Sequence, residues 1–242
     1  MRLLAATIIA TLALSCAAYG SGASEDDSFS CPGIEAVSID AKFLNVDVRG
    51  HDESGASVSA EARGCKVLHQ VEGARLRVWV EKSWPLGRLP GGTLFVQCPR
   101  GADLKIETVS GSLSVESMES ESCSLRTFSG QIRVRASRGA LTASSVSGRV
   151  LLVGDTGRIV ARTVSGAIQG RGLVVESSAF STISGDVDIG LDTPLDTLRF
   201  DLRSISGRIV VGNIRVERGL RMGTAGAPLV RGHSVSGALV FR

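Results

Sequence analysis

Seven serines stand in one recurring setting. Ser110, Ser129, Ser147, Ser165, Ser184, Ser206 and Ser236 each follow a hydroxyl residue and an apolar one and precede glycine. Such a column could supply nucleophiles or hydroxyl ligands, but either role needs a base or a carboxylate beside it, and no His or acid recurs in register. Hydrogen bonding to local backbone at a bend is the reading that survives. Basic chemistry repeats better. The residue before each hydroxyl residue reads Glu107, Arg126, Ser144, Arg162, Ser181, Arg203 and His233. Arg126, Arg162, Arg203 and His233 are therefore candidate binding residues, since arginine forks onto phosphate and carboxylate. A solvated corner with serine spacers is the competing reading.

Three further groups carry chemistry. Cys31, Cys65, Cys98 and Cys123 are an even set at intervals of 34, 33 and 25 residues. There is no C-x-x-C pair, and His51, His69 and His233 are scattered, which disfavours zinc; two disulfides in any of three connectivities, or buried thiols, remain open. Asp186, Asp188, Asp192 and Asp196 form the best acidic cluster, a weak cation site or a solvated rim. Trp84, with Pro85 and Leu86, makes an apolar tip in the loop Lys82 to Gly92, suited to packing or to recognition.

The elements that must position these residues are strands. The serines recur at intervals of 19, 18, 18, 19, 22 and 30 residues, the regularity of a stacked repeat of about 18–19 residues. Val109, Gly111, Leu113 and Val115 share one parity, as do Phe128, Gly130, Ile132 and Val134, which is the period of a strand with one buried face. A second alternating arm follows in each unit, such as Leu141 with Ala143 or Phe200 with Leu202. Between arms the inward parity jumps by three, as from Ile106 to Val109, so the chain must turn a corner there. Two arms and two bends per circuit predict an all-β protein, a β-solenoid whose rungs stack at about 4.8 Å. The recurrent glycine is explained if a Cβ would crowd the rung beneath.

Residues 34–107 alternate without the tetrapeptide and are expected to form irregular rungs and a cap, with regular repeats over 108–242. The final stretch, Ala238 to Arg242, is expected to leave an open sheet edge, through which copies could associate. At the other end, residues 1–23 read as an export signal: Met1 and Arg2, then an apolar run to Ala18, followed by a polar linker over 24–33. Two cleavage readings compete. Leu12 to Cys16 resembles a relaxed lipobox that would leave Cys16 acylated as a membrane anchor, whereas Ser21-Gly22-Ala23 or Ala18-Tyr19-Gly20 suits ordinary signal peptidase.

Composition sets the outer limits. The chain has 242 residues, of which 43% are hydrophobic and 4% aromatic, enough for one sizeable core. A formal charge of +3 is too small for an electrostatic case for nucleic acid. The repeated Thr/Ser-apolar-Ser-Gly-x-apolar pattern follows the run Phe95-Val96-Gln97-Cys98-Pro99-Arg100-Gly101-Ala102-Asp103-Leu104-Lys105-Ile106. Together these resemble the bacterial putative-adhesin family of exported domains, over roughly residues 34–242. The resemblance implies a single-stranded right-handed β-helix at the cell envelope, in the outer membrane or periplasm, with no catalytic residues and no cofactor. The reading is thus a non-catalytic binding or structural module, whose partner is an envelope polymer, lipid head groups or a surface protein. A self-assembling envelope scaffold is the alternative, and a polysaccharide-active enzyme using the Asp186 cluster comes third.

Overall fold

The computed structural model describes residues 24–25, 28–82 and 91–242. The export segment with Cys16, and the Trp84 tip, lie outside the described residues. Those described are almost entirely strand, joined in one sheet, with a single 3-10 turn at Leu195–Thr197.

Five successive units make the regular body. Asp103–Thr108 leads to Leu113–Glu116, Glu119–Thr127 to Ile132–Arg135, and Arg138–Ser145 to Val150–Val153; Thr156–Thr163 then leads to Ile168–Val175, and Ser178–Ser184 to Val187–Leu191. Like arms pair in parallel. Leu125 lies opposite both Ile106 and Ala143, and Val134 opposite both Val115 and Leu152. Because every second side chain points inward, these columns form one continuous apolar interior, in which Ile106, Leu125, Ala143, Val115, Val134 and Leu152 are all buried. The expected all-β, rung-stacked solenoid is therefore the observed architecture.

Stacking order departs from chain order at both ends. The unit Ala36–Lys42 with Asn45–His51 lies between the Asp103 unit and the unit Arg75–Lys82 with Gly91–Pro99. At the opposite end, Leu229–Ser236 with Leu239–Phe241 is inserted between the Ser178 unit and Arg199–Val211. Each outermost forward unit is then covered by an antiparallel one. Ala56–Arg63 and Cys65–Glu72 run back over Gly91–Pro99 and Arg75–Lys82, and Ile214–Met222 runs back over Arg199–Val211.

This corrects the expectation of an open edge at 238–242. Leu239–Phe241 is bonded on both sides, and the edge at this end is Ile214–Met222, outside Arg199–Val211, which carries Arg215, Glu217, Arg218 and Arg221. Charges on an edge strand oppose pairing with another chain. The 30-residue interval exists because the chain must run back over the stack before it re-enters one level inside.

Candidate binding surface

The corner is where the repeat does its structural work. Its hydroxyl residue is buried, not its apolar one: Thr127, Thr163 and Thr182 are interior, while Phe128, Val164 and Ile183 are exposed. The three-residue slip therefore runs from Thr108 to Gly111, not from Ile106 to Val109. The reason is polar. Thr127 Oγ1 donates to Gly111 O at 3.2 Å, Thr163 Oγ1 to Gly148 O at 3.4 Å and Thr182 Oγ1 to Gly166 O at 3.4 Å, so an inward hydroxyl satisfies a carbonyl of the rung beneath. Gly111 N in turn donates to Thr108 Oγ1 at 3.2 Å. The glycines stack as expected. A Cβ on Gly130 would meet Gly111 O, one on Gly148 would meet Gly130 O, and one on Gly166 would meet Gly148 O.

With hydroxyls and glycines committed to stacking, the outward side chains of the corner repeat along the surface. In stacking order the basic column reads Glu107, Arg126, Ser144, Arg162, Ser181, His233, Arg203. Insertion of the last unit changes the expected alternation: His233 falls between Ser181 and Arg203, and Arg162 and Arg203 are three levels apart. Arg126 pairs with Glu107 at 3.6 Å and Arg203 with Asp201 at 3.6 Å, both exposed enough to contribute little to stability. On the other side of the corner, the residue after each glycine adds Arg149 and Arg208, which the sequence reading did not single out.

Between these flanks runs a feature that parity had placed inside. Phe43, Val109, Phe128, Val146, Val164, Ile183, Val235 and Ile205 follow one another level by level along the corner apex. Corner backbone bonds hold them in register: Ser129 N donates to Val109 O and Ser147 N to Phe128 O at 2.8 Å, and Ser184 N donates to Val164 O at 2.8 Å. Phe128 is 58% exposed, Ile183 51% and Ile205 68%. A hydroxyl at a core-parity position was the signal for this ridge.

The remaining candidates separate. Asp186 accepts from Ala238 N at 2.8 Å, and both carboxylate oxygens of Asp188 accept from Arg242 Nη2 at 2.8 and 2.7 Å. Among the described residues no three of His, Cys, Asp and Glu come together as a metal-binding group. Cys65, Cys98 and Cys123 are free thiols, and Cys31 is buried. Burial pushes the Cys98 and Cys123 thiols up to about 12, far from a reactive thiolate.

Asp155 is the unforeseen titrating group. It is 1% exposed in the turn before Thr156–Thr163, where Ser137 N donates to Oδ1 at 2.9 Å and Val153 N to Oδ2 at 3.0 Å. Desolvation outweighs those two donors and raises it from 3.8 to about 6. A raised folded value means that the native chain holds this proton more tightly than the unfolded chain does. The resulting stabilisation is complete below pH 3.8 and is lost as pH rises through about 6. Urea unfolding should therefore show wild type gaining roughly 2.5 kcal/mol relative to Asp155→Asn between pH 7.5 and 4. A pH-independent difference between the two would refute the assignment.

The family model described as Toastrack DUF4097 matches residues 92–221, more than half of the chain. Two solved structures resemble the fold. The "putative cell adhesion protein" from Clostridium sporogenes is 10% identical with a TM-score of 0.35, covering 91% of this chain and 99% of its own. The "putative lipid binding protein" from Parabacteroides distasonis is 12% identical with a TM-score of 0.46, covering 92% of this chain and 97% of its own. No curated protein matches the sequence.

Proposed function

We propose, from the premise that this chain belongs to the Toastrack DUF4097 family, that it is an exported, non-catalytic binding module of the cell envelope. In this reading one pass of chain per level winds as a single-stranded right-handed β-helix, tethered by Cys16 or released after cleavage. Its partners are envelope polymers or lipid head groups. The observation that carries it is the fate of the repeated residues: Thr127, Thr163 and Thr182 face the interior and donate to glycine carbonyls, so the corner presents an apolar line with exposed serines, flanked by Arg126, Arg162 and Arg203. That surface suits adhesion to an extended anionic partner.

The test is retention of the purified full chain on isolated cell envelopes. Arg126→Gln, Arg162→Gln and Arg203→Gln combined should reduce retention several-fold and flatten its loss with salt, without changing the melting midpoint. Unchanged retention would overturn the basic column as the contact, and release of new sugar reducing ends from the envelopes would favour the enzyme reading instead.

A further inference from the structure

We propose that the corner ridge from Phe43 to Ile205 inserts into the interfacial layer of an anionic lipid bilayer, with the flanking arginines on lipid phosphates. This deepens the binding-module reading and rests on it for the choice of face. The ridge runs eight levels, so it is about 34 Å long at the spacing of parallel strands. Scattered apolar residues on a surface need no explanation, whereas a continuous line of Val, Ile and Phe does. Ile205, the most exposed of them at 68%, shows that the apex is not collapsed onto the sheet.

Shape and charge choose the occupant. A strip one side chain wide offers on the order of 300 Å², well below the ~800 Å² per partner of a stable protein dimer. The ridge is also convex, so a second copy would meet it apex to apex. A bilayer accepts a narrow line of side chains, because lipids close around it. Arg126, Arg162 and Arg203 border one flank and Arg149 and Arg208 the other, within reach of head groups when the apex is submerged. Acids offset part of this charge, since Glu107 pairs with Arg126 at 3.6 Å and Asp201 with Arg203 at 3.6 Å, whereas Arg149, Arg162 and Arg208 have no carboxylate partner among the described residues. The interleaved serines, Ser129 and Ser165 among them, are exposed and compatible with a head-group layer.

Flotation of the full chain with phosphatidylglycerol/phosphatidylcholine vesicles tests this. The apolar run near residue 3–18 contributes equally to every variant, so differences report on the ridge. Phe128→Ser, Ile183→Ser and Ile205→Ser together should weaken partition roughly tenfold, and Arg149, Arg162, Arg203 and Arg208 changed to Gln should remove the preference over pure phosphatidylcholine. Phe128→Trp, read as the difference spectrum from wild type, should shift to the blue on vesicle addition and be quenched by brominated lipid. Equal partition of the triple serine variant and wild type, or a tryptophan at 128 untouched by brominated lipid, overturns the proposal. So does a wild-type dimer in sedimentation velocity that the serine variant abolishes, since the ridge would then join two copies. If envelope retention persists while the vesicle assays fail, the module reading stands and only the bilayer is removed. If the triple variant does not fold, the tryptophan measurement decides.

Discussion

Gly148→Ala is expected to remove a large share of the native stability. The added Cβ would collide with Gly130 O of the rung beneath, a carbonyl that also accepts from Ser145 Oγ of the same corner as Gly148 at 3.4 Å. Relief would require the two rungs to separate at a corner where Ser147 N donates to Phe128 O at 2.8 Å and Val146 N to Thr127 O at 3.3 Å. Separation there breaks the ladder on both arms, so the cost should reach about 4 kcal/mol or more, against a typical native stability of about 5–15 kcal/mol. Two controls isolate the cause. Gly154, at φ 67° with nothing within 4 Å of its added Cβ, should lose only about 1–2 kcal/mol on substitution by Ala, through conformation alone. Ser147→Ala, on the exposed side of the same corner, should change stability by less than about 0.5 kcal/mol. Urea unfolding followed by circular dichroism ranks the three, and a Gly148→Ala loss no larger than that of Gly154→Ala would refute the close approach.

Phe241→Ala should cost about 3–5 kcal/mol although it lies next to the last residue of the sequence. Its ring is buried between Phe180 at 5.9 Å and Phe200 at 5.7 Å, edge to face with each. These three aromatics fill the interior at the levels where the last unit enters between its neighbours. Truncation therefore opens a cavity and loosens the strand that bonds Val187–Leu191 to the Ile209 end of Arg199–Val211. Val240→Ala, on the outward side of the same strand, should cost less than about 1 kcal/mol. Similar losses for the two variants would show that strand pairing, not the aromatic cluster, closes this end.

The body of the fold is legible in the sequence because stacked rungs repeat their chemistry. The glycine intervals carry the period, and alternation in stretches such as Cys123, Leu125 and Thr127 carries the buried face. The corner was less legible. Parity alone makes Val109 and Gly111 equivalent, and only the buried hydrogen bond of Thr108 Oγ1 to Lys42 O at 2.9 Å shows that the hydroxyl goes inward and the valine outward. The rung order at the ends has no local signal at all. Nothing in Leu229–Ser236 states that it pairs with Ser178–Ser184 rather than adding beyond Arg199–Val211, because either position buries the same residues. The candidate surface is half legible: register picks out Arg126, Arg162, Arg203 and His233, whereas parity places the apex between them in the core.

The inserted closing units also decide how the molecule responds to load. A strand on the outside of a stack can be peeled away one hydrogen bond at a time. Leu239–Phe241 is clasped on both sides, so tension drawn through it must shear two ladders together. The Ala36–Lys42 unit is gripped in the same manner at the far end. Ser28–Cys31, paired on one side only among the described residues, with Ala56–Arg63, can instead be peeled away bond by bond, so load parts the stack there before it reaches either clasped unit.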